Sequence, residues 1–368
     1  MKTSKLPFSD NLIPPSEFKD MRTSELMEKG PFFSLRYPGL VHYMPLGHTV
    51  LDNLRSIIGQ EHSSMGAMEI EIPSYMRRSV LDEGEKITNT FSDKFIMLPP
   101  PMEDYMVLTT HEMEILDWLR KDNLTHRLFP LKFFFSKGIF RPIKDPKKIL
   151  KLRDVEVQAM ISLDLDQEGF RRSLSEYAET CESIFSKLRI PYEKRVSDEG
   201  DRANSHMDFD LEYFYKCEEG GTMFSLSESG EERALSLSMG YNYKPSQGFI
   251  RVMNGQGKLR DPVVGSYAMG LMRLLYSTFN ASRDSFGFNL PEGIRPFDVS
   301  VLAFGDESEV LKKSEEIYGK LSNEGKKVLF DDRLRTRRKD KARLSDYLGI
   351  PLKIVISKSG VREYKRDN

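Results

Sequence analysis

The sequence predicts an α+β protein: an antiparallel sheet flanked by helices, followed by a small C-terminal α/β unit. Three observations predict it. An apolar face at Val50, Leu51, Leu54, Ile57 and Ile58 leads into the alternating segment Gly66–Pro73, which gives a helix–strand unit. Two apolar stretches, 131–141 and 151–163, flank a basic loop at Lys144–Lys148 and read as an antiparallel pair. From Asp298 onward, strand and helix patterns alternate, the mark of a mixed α/β sheet. A chain of 368 residues has length for two domains. The proline-bounded stretch Pro291–Pro296 divides it into 1–294 and 295–368.

Composition narrows the function classes. Lys and Arg number 55 against 56 Asp and Glu, so net charge does not announce a nucleic-acid partner, which would need a local basic patch. The two cysteines, Cys181 and Cys217, form no disulfide framework and have no metal-ligand spacing, so no protein-held metal site is expected. The opening MKTSKLPFSDNLIPPSEF lacks the apolar core of a signal peptide, and no apolar run approaches the ~20 residues of a membrane span. A reducing, cytoplasmic setting without membrane contact is the expectation.

The other elements follow in order. Strands are expected at Lys94–Leu98 and Tyr105–Leu108, around the Pro99-Pro100-Pro101 turn. Leu108-Thr-Thr-His-Glu-Met-Glu114 opens a helix with Thr110 at the N-cap place and acidic residues in the first turn. By itself that is a well-capped amphipathic helix. A helical pattern from Asp164 runs through Phe170, Leu174, Tyr177, Ile184, Phe185 and Leu188, with Cys181 as a small filler, and Arg189–Tyr192 resumes a strand. Ala234–Met239 alternates as a strand. In Val263–Leu274, Gly265 and Gly270 bracket a small-residue turn, and a helix follows with Arg273 one turn in. That arginine offers a planar cation to a phosphate or an aromatic base, or it is one solvated side chain after a strand-to-helix turn. The last part reads strand 298–303, helix 307–321, strand 327–330, helix 333–347 and strand 352–356. The basic run Arg333–Arg343 suits a phosphate backbone or a solvated helix face.

Several of these stretches carry a family resemblance. Gly265-Ser-Tyr-x-x-Gly270-x-x-Arg273-Leu resembles the third signature motif of class II aminoacyl-tRNA synthetases, in the form of the prolyl enzymes. GLVHYMPLGHTVL…GAMEIEIP is similar to motif 1 and to the opening of bacterial-type prolyl-tRNA synthetases. The 131–163 pair resembles motif 2, Thr110-His-Glu112 resembles the proline-binding loop, and PFDVSVL…FDDR…LGIPLKIVI resembles the anticodon-binding domain. The resemblance implies ATP- and Mg²⁺-dependent activation of an amino acid, proline first, its transfer to tRNA, and a homodimer built on motif 1. It implies Arg141 and Arg273 as catalytic, with ATP contacts from Arg141, Arg153, Gly270 and Arg273. Thr110 and Glu112 would hold the substrate's ammonium group, and His206, in a segment similar to S-H-E-F, would line the pocket. A fixed guanidinium at 141 would stabilise the charge that builds on the α-phosphate oxygens. The 164–262 interval has no room for an editing insertion.

The chain also departs from the family pattern. Phe140-Arg-Pro-Ile143 stands for F-R-D-E, Arg153-Asp-Val155 for R-E-F, and Ala234-Leu-Ser-Leu237 for G-H-x-F. The first two changes remove a hydrogen-bond acceptor and an aromatic stack for adenine, worth about 1–3 kcal/mol each. The third bears on which amino acid fits. Two other readings therefore stand beside the ligase: a catalytically impaired paralogue serving as an RNA- or DNA-binding accessory subunit, and an adenylating enzyme that charges a carrier protein.

Overall fold

The computed structural model describes residues 1–5, 21–84, 96–108, 110–146, 148–196, 210–224 and 232–366. Helix α1 (Pro45–Ser64) opens on proline, whose missing N–H costs nothing in a first turn. Its buried face is Leu46, Val50, Leu51, Leu54 and Ile58, the stripe the sequence spacing predicts. Beyond a short helix at Arg78–Gly84 come α2 (Glu112–Leu119), α3 (Gln167–Lys187) and α4 (Leu271–Ala281). Asp166 caps α3 by accepting from the Gly169 N–H at 2.8 Å.

Eight strands make the main sheet: β1 (Met68–Glu69), β2 (Leu131–Phe140), β3 (Asp154–Asp164), β4 (Glu193–Val196), β5 (Leu211–Lys216), β6 (Thr222–Phe224), β7 (Glu232–Tyr243) and β8 (Val263–Gly270). Their order is β1-β2-β3-β8-β7-β5-β4, with β6 paired to β7. All pairings are antiparallel except β1 with β2. Because side chains alternate along a strand, the sheet feeds two cores. Phe134 joins one with α1, α3 and α4, while Phe133 and Phe135 join another with α2.

A smaller mixed sheet follows: β9 (Val299–Ala303), β10 (Val328–Asp331), β11 (Leu352–Ser357) and β12 (Gly360–Lys365), ordered β10-β9-β11-β12. Helices α5 (Ser308–Asn323) and α6 (Arg338–Tyr347) accompany it, and Val301, Phe330 and Ile356 centre its own core. Residues near the N-terminus run along its outer edge, where Lys2 bridges Phe330. Tyr347 reaches the other way, into the core with Phe288 and Phe32.

Several elements differ from the sequence expectation. The segment Val263–Gly270 is not a turn between glycines but a continuous strand, because β3 and β7 supply ladder partners for both edges. Gly265 is required for close approach: a Cβ there would lie 2.3 Å from the Tyr267 hydroxyl. The strand after α3 starts at Glu193 rather than Arg189. Arg189 takes φ 53°, and the Ile190 N–H returns to the Phe185 carbonyl at 2.9 Å, closing the helix end. The α6 helix starts at Arg338, since the buried Arg333 turns back to pair with Asp331. The edge strand β12 was not anticipated; it is exposed along its whole length and shows no apolar alternation. Lys94 and Phe95 of the expected 94–98 strand lie outside the described residues.

His62, on the core side of α1, is 1% exposed, with Nδ1 on the Ile58 carbonyl at 2.9 Å and its ring against Phe134. Burial pushes its pKa down to about 4, with the Ile58 carbonyl and Glu61 opposing. The unfolded chain takes up this proton below about pH 6.5, while the folded one refuses it until about pH 4. Stability is therefore intact above pH 6.5 and falls by about 3 kcal/mol across that window. Urea titrations between pH 7 and 4 should show this slope, and it should flatten in His62→Gln whatever that variant's stability at pH 7.

Candidate active site

A buried carboxylate must be supplied with donors. Glu112, the first residue of α2, is 3% exposed and receives four. Its Oε1 accepts from the Tyr241 hydroxyl at 2.6 Å and from Ser266 Oγ at 2.7 Å. Its Oε2 accepts from the His111 N–H at 3.1 Å and from the Thr110 hydroxyl. Thr110 does not cap the helix, as its sequence position suggests. The N-cap is His111, and the Thr110 hydroxyl is spent on the glutamate. Burial alone would raise the Glu112 pKa, but neighbouring His111 and the three hydroxyls outweigh it and hold the pKa at about 2. His111 is itself pulled down by burial and by Arg141, with Glu112 opposing.

The strand ladder sets which groups share this face. Tyr241 pairs with Ser266, and Met239 pairs with both Ala268 and Glu212. Partners across an antiparallel ladder point the same way, so Glu212 lies on the Glu112 side. Burial raises the Glu212 carboxyl above its usual range, with Arg195 opposing. Sequence reasoning missed Tyr241, Ser266 and Glu212. The signal for Ser266 was its place between Gly265 and Gly270; for Glu212, it was a lone acid in Leu211-Glu-Tyr-Phe-Tyr215.

Two arginines enter from elements far apart in the chain. Gly270 is the N-cap of α4, where a Cβ would lie 3.4 Å from the Arg273 stem. Arg273 is half-buried, and its Nη1 donates to the Ser236 carbonyl at 2.9 Å. Arg141 follows β2, with its N–H on the Arg153 carbonyl at 2.6 Å. Burial and the cation of Arg141 both pull the Arg273 guanidinium below its usual value. The charge of Arg141 thus bears on both Arg273 and His111. Among the described residues neither arginine has a carboxylate at ion-pair distance.

Arg153 is placed differently. Its Nε donates to the Ile143 carbonyl at 3.0 Å and its Nη1 to the Pro38 carbonyl at 3.3 Å, fastening the loop to the Gly39 turn. His206 lies outside the described residues. Among the described residues there is no cluster of three His, Cys, Asp or Glu side chains suited to a metal, and no helix is long and apolar enough to cross a membrane.

No family model matches the chain. It is 23% identical to the proline–tRNA ligase of Rhodospirillum rubrum across 94% of this chain and 90% of that one. It is also 23% identical to that of Bartonella quintana across 92% and 88%. Among solved structures, the prolyl-tRNA synthetase of Giardia lamblia, in complex with prolyl-adenylate, superposes with a TM-score of 0.74 at 20% identity, covering 96% of this chain and 76% of that one. The fold is that of the prolyl class II synthetases. The Cryptosporidium parvum prolyl-tRNA synthetase, complexed with halofuginone and AMPPNP, gives 0.76 at 17% identity, covering 97% and 75%. This prolyl-type fold accounts for the antiparallel sheet and flanking helices expected from the motifs.

Removing one of the donors to Glu112 has a defined consequence. Tyr241→Phe should raise the carboxyl's pKa and cost about 1.5–3 kcal/mol at pH 7, the range for a hydrogen bond to a charged group. Carbon-detected NMR titration and chemical denaturation read the two effects separately.

Proposed function

We propose that this protein activates an amino acid, proline first, with ATP and transfers it to tRNA. The observation that carries the reading is the Arg141–Arg273 pair. A half-buried Arg273 that feels the charge of Arg141, both without carboxylate partners among the described residues, suits a polyanion. Adenylate formation adds negative charge at the α-phosphorus, where a fixed guanidinium stabilises the transition state more than the ground state. Arg141 and Arg273 are assigned that role, with Gly270 leaving room beside the Arg273 stem. Arg153 acts by holding the loop.

The amino acid is assigned to the Glu112 end. The carboxylate's four acceptor positions are already filled. Its charge therefore stabilises a substrate ammonium, while the free lone pairs of Thr110 Oγ accept a hydrogen bond from it. Glu212 and His206 are proposed as further lining. Mg²⁺ is assigned to the arginine end, where it would screen the triphosphate charge.

The remaining assignments belong to the same reading: a catalytic unit 1–294, an anticodon-binding unit 295–368, a homodimer, and a cytoplasmic setting. The exposed Arg335, Arg338 and Lys339 suit an RNA backbone, whereas Arg333 and Lys341 are buried and structural.

ATP–pyrophosphate exchange measured with each of the twenty amino acids tests the proposal. Exchange is expected with proline, and exchange with none of them defeats the reading. Arg141→Ala and Arg273→Ala should each lower kcat/KM by about 10²–10³, the cost of one transition-state donor. Arg273→Lys should not restore the rate, because an ammonium lacks the planar fork.

A further inference from the structure

We infer that the nucleotide site is permissive toward the base, so that other nucleoside triphosphates are used within about tenfold of ATP. This rests on the assignment of Arg141 and Arg273 to the nucleotide. The Arg273 stem lies over Gly270, which pairs with Val157 of β3. The next residue of β3 on that face is Val155, opposite Ile139 of β2. Val157 and Ile139 are buried in the core beneath, so the side chain of that face left partly open to a base is Val155, which has no polar atom.

Among its described residues the adjoining loop offers no fixed reader either. The Arg141 N–H goes to the Arg153 carbonyl at 2.6 Å, and the Ile143 N–H goes to the Arg141 carbonyl at 2.7 Å. The Ile143 carbonyl takes Arg153 Nε at 3.0 Å, and Arg153 Nη1 is turned to Pro38. Pro142 and Ile143 have no polar side-chain atoms. Asp145 is exposed and already has a partner. Lys137, half-buried opposite Val157, is a flexible ammonium, and every base presents it an acceptor. Selecting adenine over guanine requires a fixed acceptor for the 6-amino group or a donor for N1. Strong rejection arises only where buried polar partners would be left unmade. Here such partners are already joined to one another, while stacking on a guanidinium is open to every base.

The test uses the full chain in pyrophosphate exchange with proline and ATP, GTP, CTP or UTP, together with calorimetric binding of each nucleotide. The expected result is kcat/KM and Kd values for the four within about tenfold, and Ile143→Glu should shift the ATP/GTP ratio toward ATP by about tenfold or more. A wild-type preference for ATP above tenfold overturns the inference. Exchange with no nucleotide defeats the ligase reading, and the binding ratios then decide base permissiveness on the same threshold. Binding of no nucleotide overturns both.

Discussion

The hydrogen-bonded enclosure of Glu112 is the constraint on which the site depends. One carboxylate is taken almost wholly out of water, and its four donors come from the preceding loop, from β7 and from β8. An unmet buried charge is far costlier than any single contact. The start of α2 is therefore tied to the two central strands, and the strand register is tied to the helix. A slip of one residue in β8 would turn Ser266 to the opposite face.

From that anchor the site extends along the sheet to the arginine pair. Positive charge gathers at one end, around Arg141 and Arg273, and a satisfied negative charge sits at the other. At the arginine end, burial and the charge of Arg141 hold the Arg273 guanidinium below its usual value, and the ligand proposed there brings several negative charges. The apolar Val155 and the hydrogen bonds among Arg141, Ile143 and Arg153 give the same end a different character from its neighbours. In the proposed reading, charge is recognised there and base identity is not.

Much of this was legible in the linear chain where periodicity is strong and local. Helix α1 announced itself by its apolar stripe, and β2 and β3 by two long apolar runs around a basic loop. The C-terminal alternation also appears as strands and helices in the expected order. The motif residues Glu112, Arg141 and Arg273 were identifiable as candidates, although their mutual placement was not. Thr110 was expected as a cap and instead lies one residue ahead of the His111 N-cap and donates its hydroxyl to the carboxylate. Gly265 and Gly270 suggested a turn, but two neighbouring ladders extend the strand across both.

What the sequence by itself determined is the strongly periodic elements, such as α1, β2, β3 and α3, and the chemical types at their ends, since both follow from local spacing and side-chain chemistry. Only the tertiary structure decided which hydroxyls meet Glu112, that Tyr241 and Ser266 are among them, and that Arg153 is a fastener. Those outcomes depend on register between strands far apart in the chain, and register is a property of paired backbones. Nothing in the order of residues 241 and 266 states that they stand opposite one another; the β7–β8 ladder does.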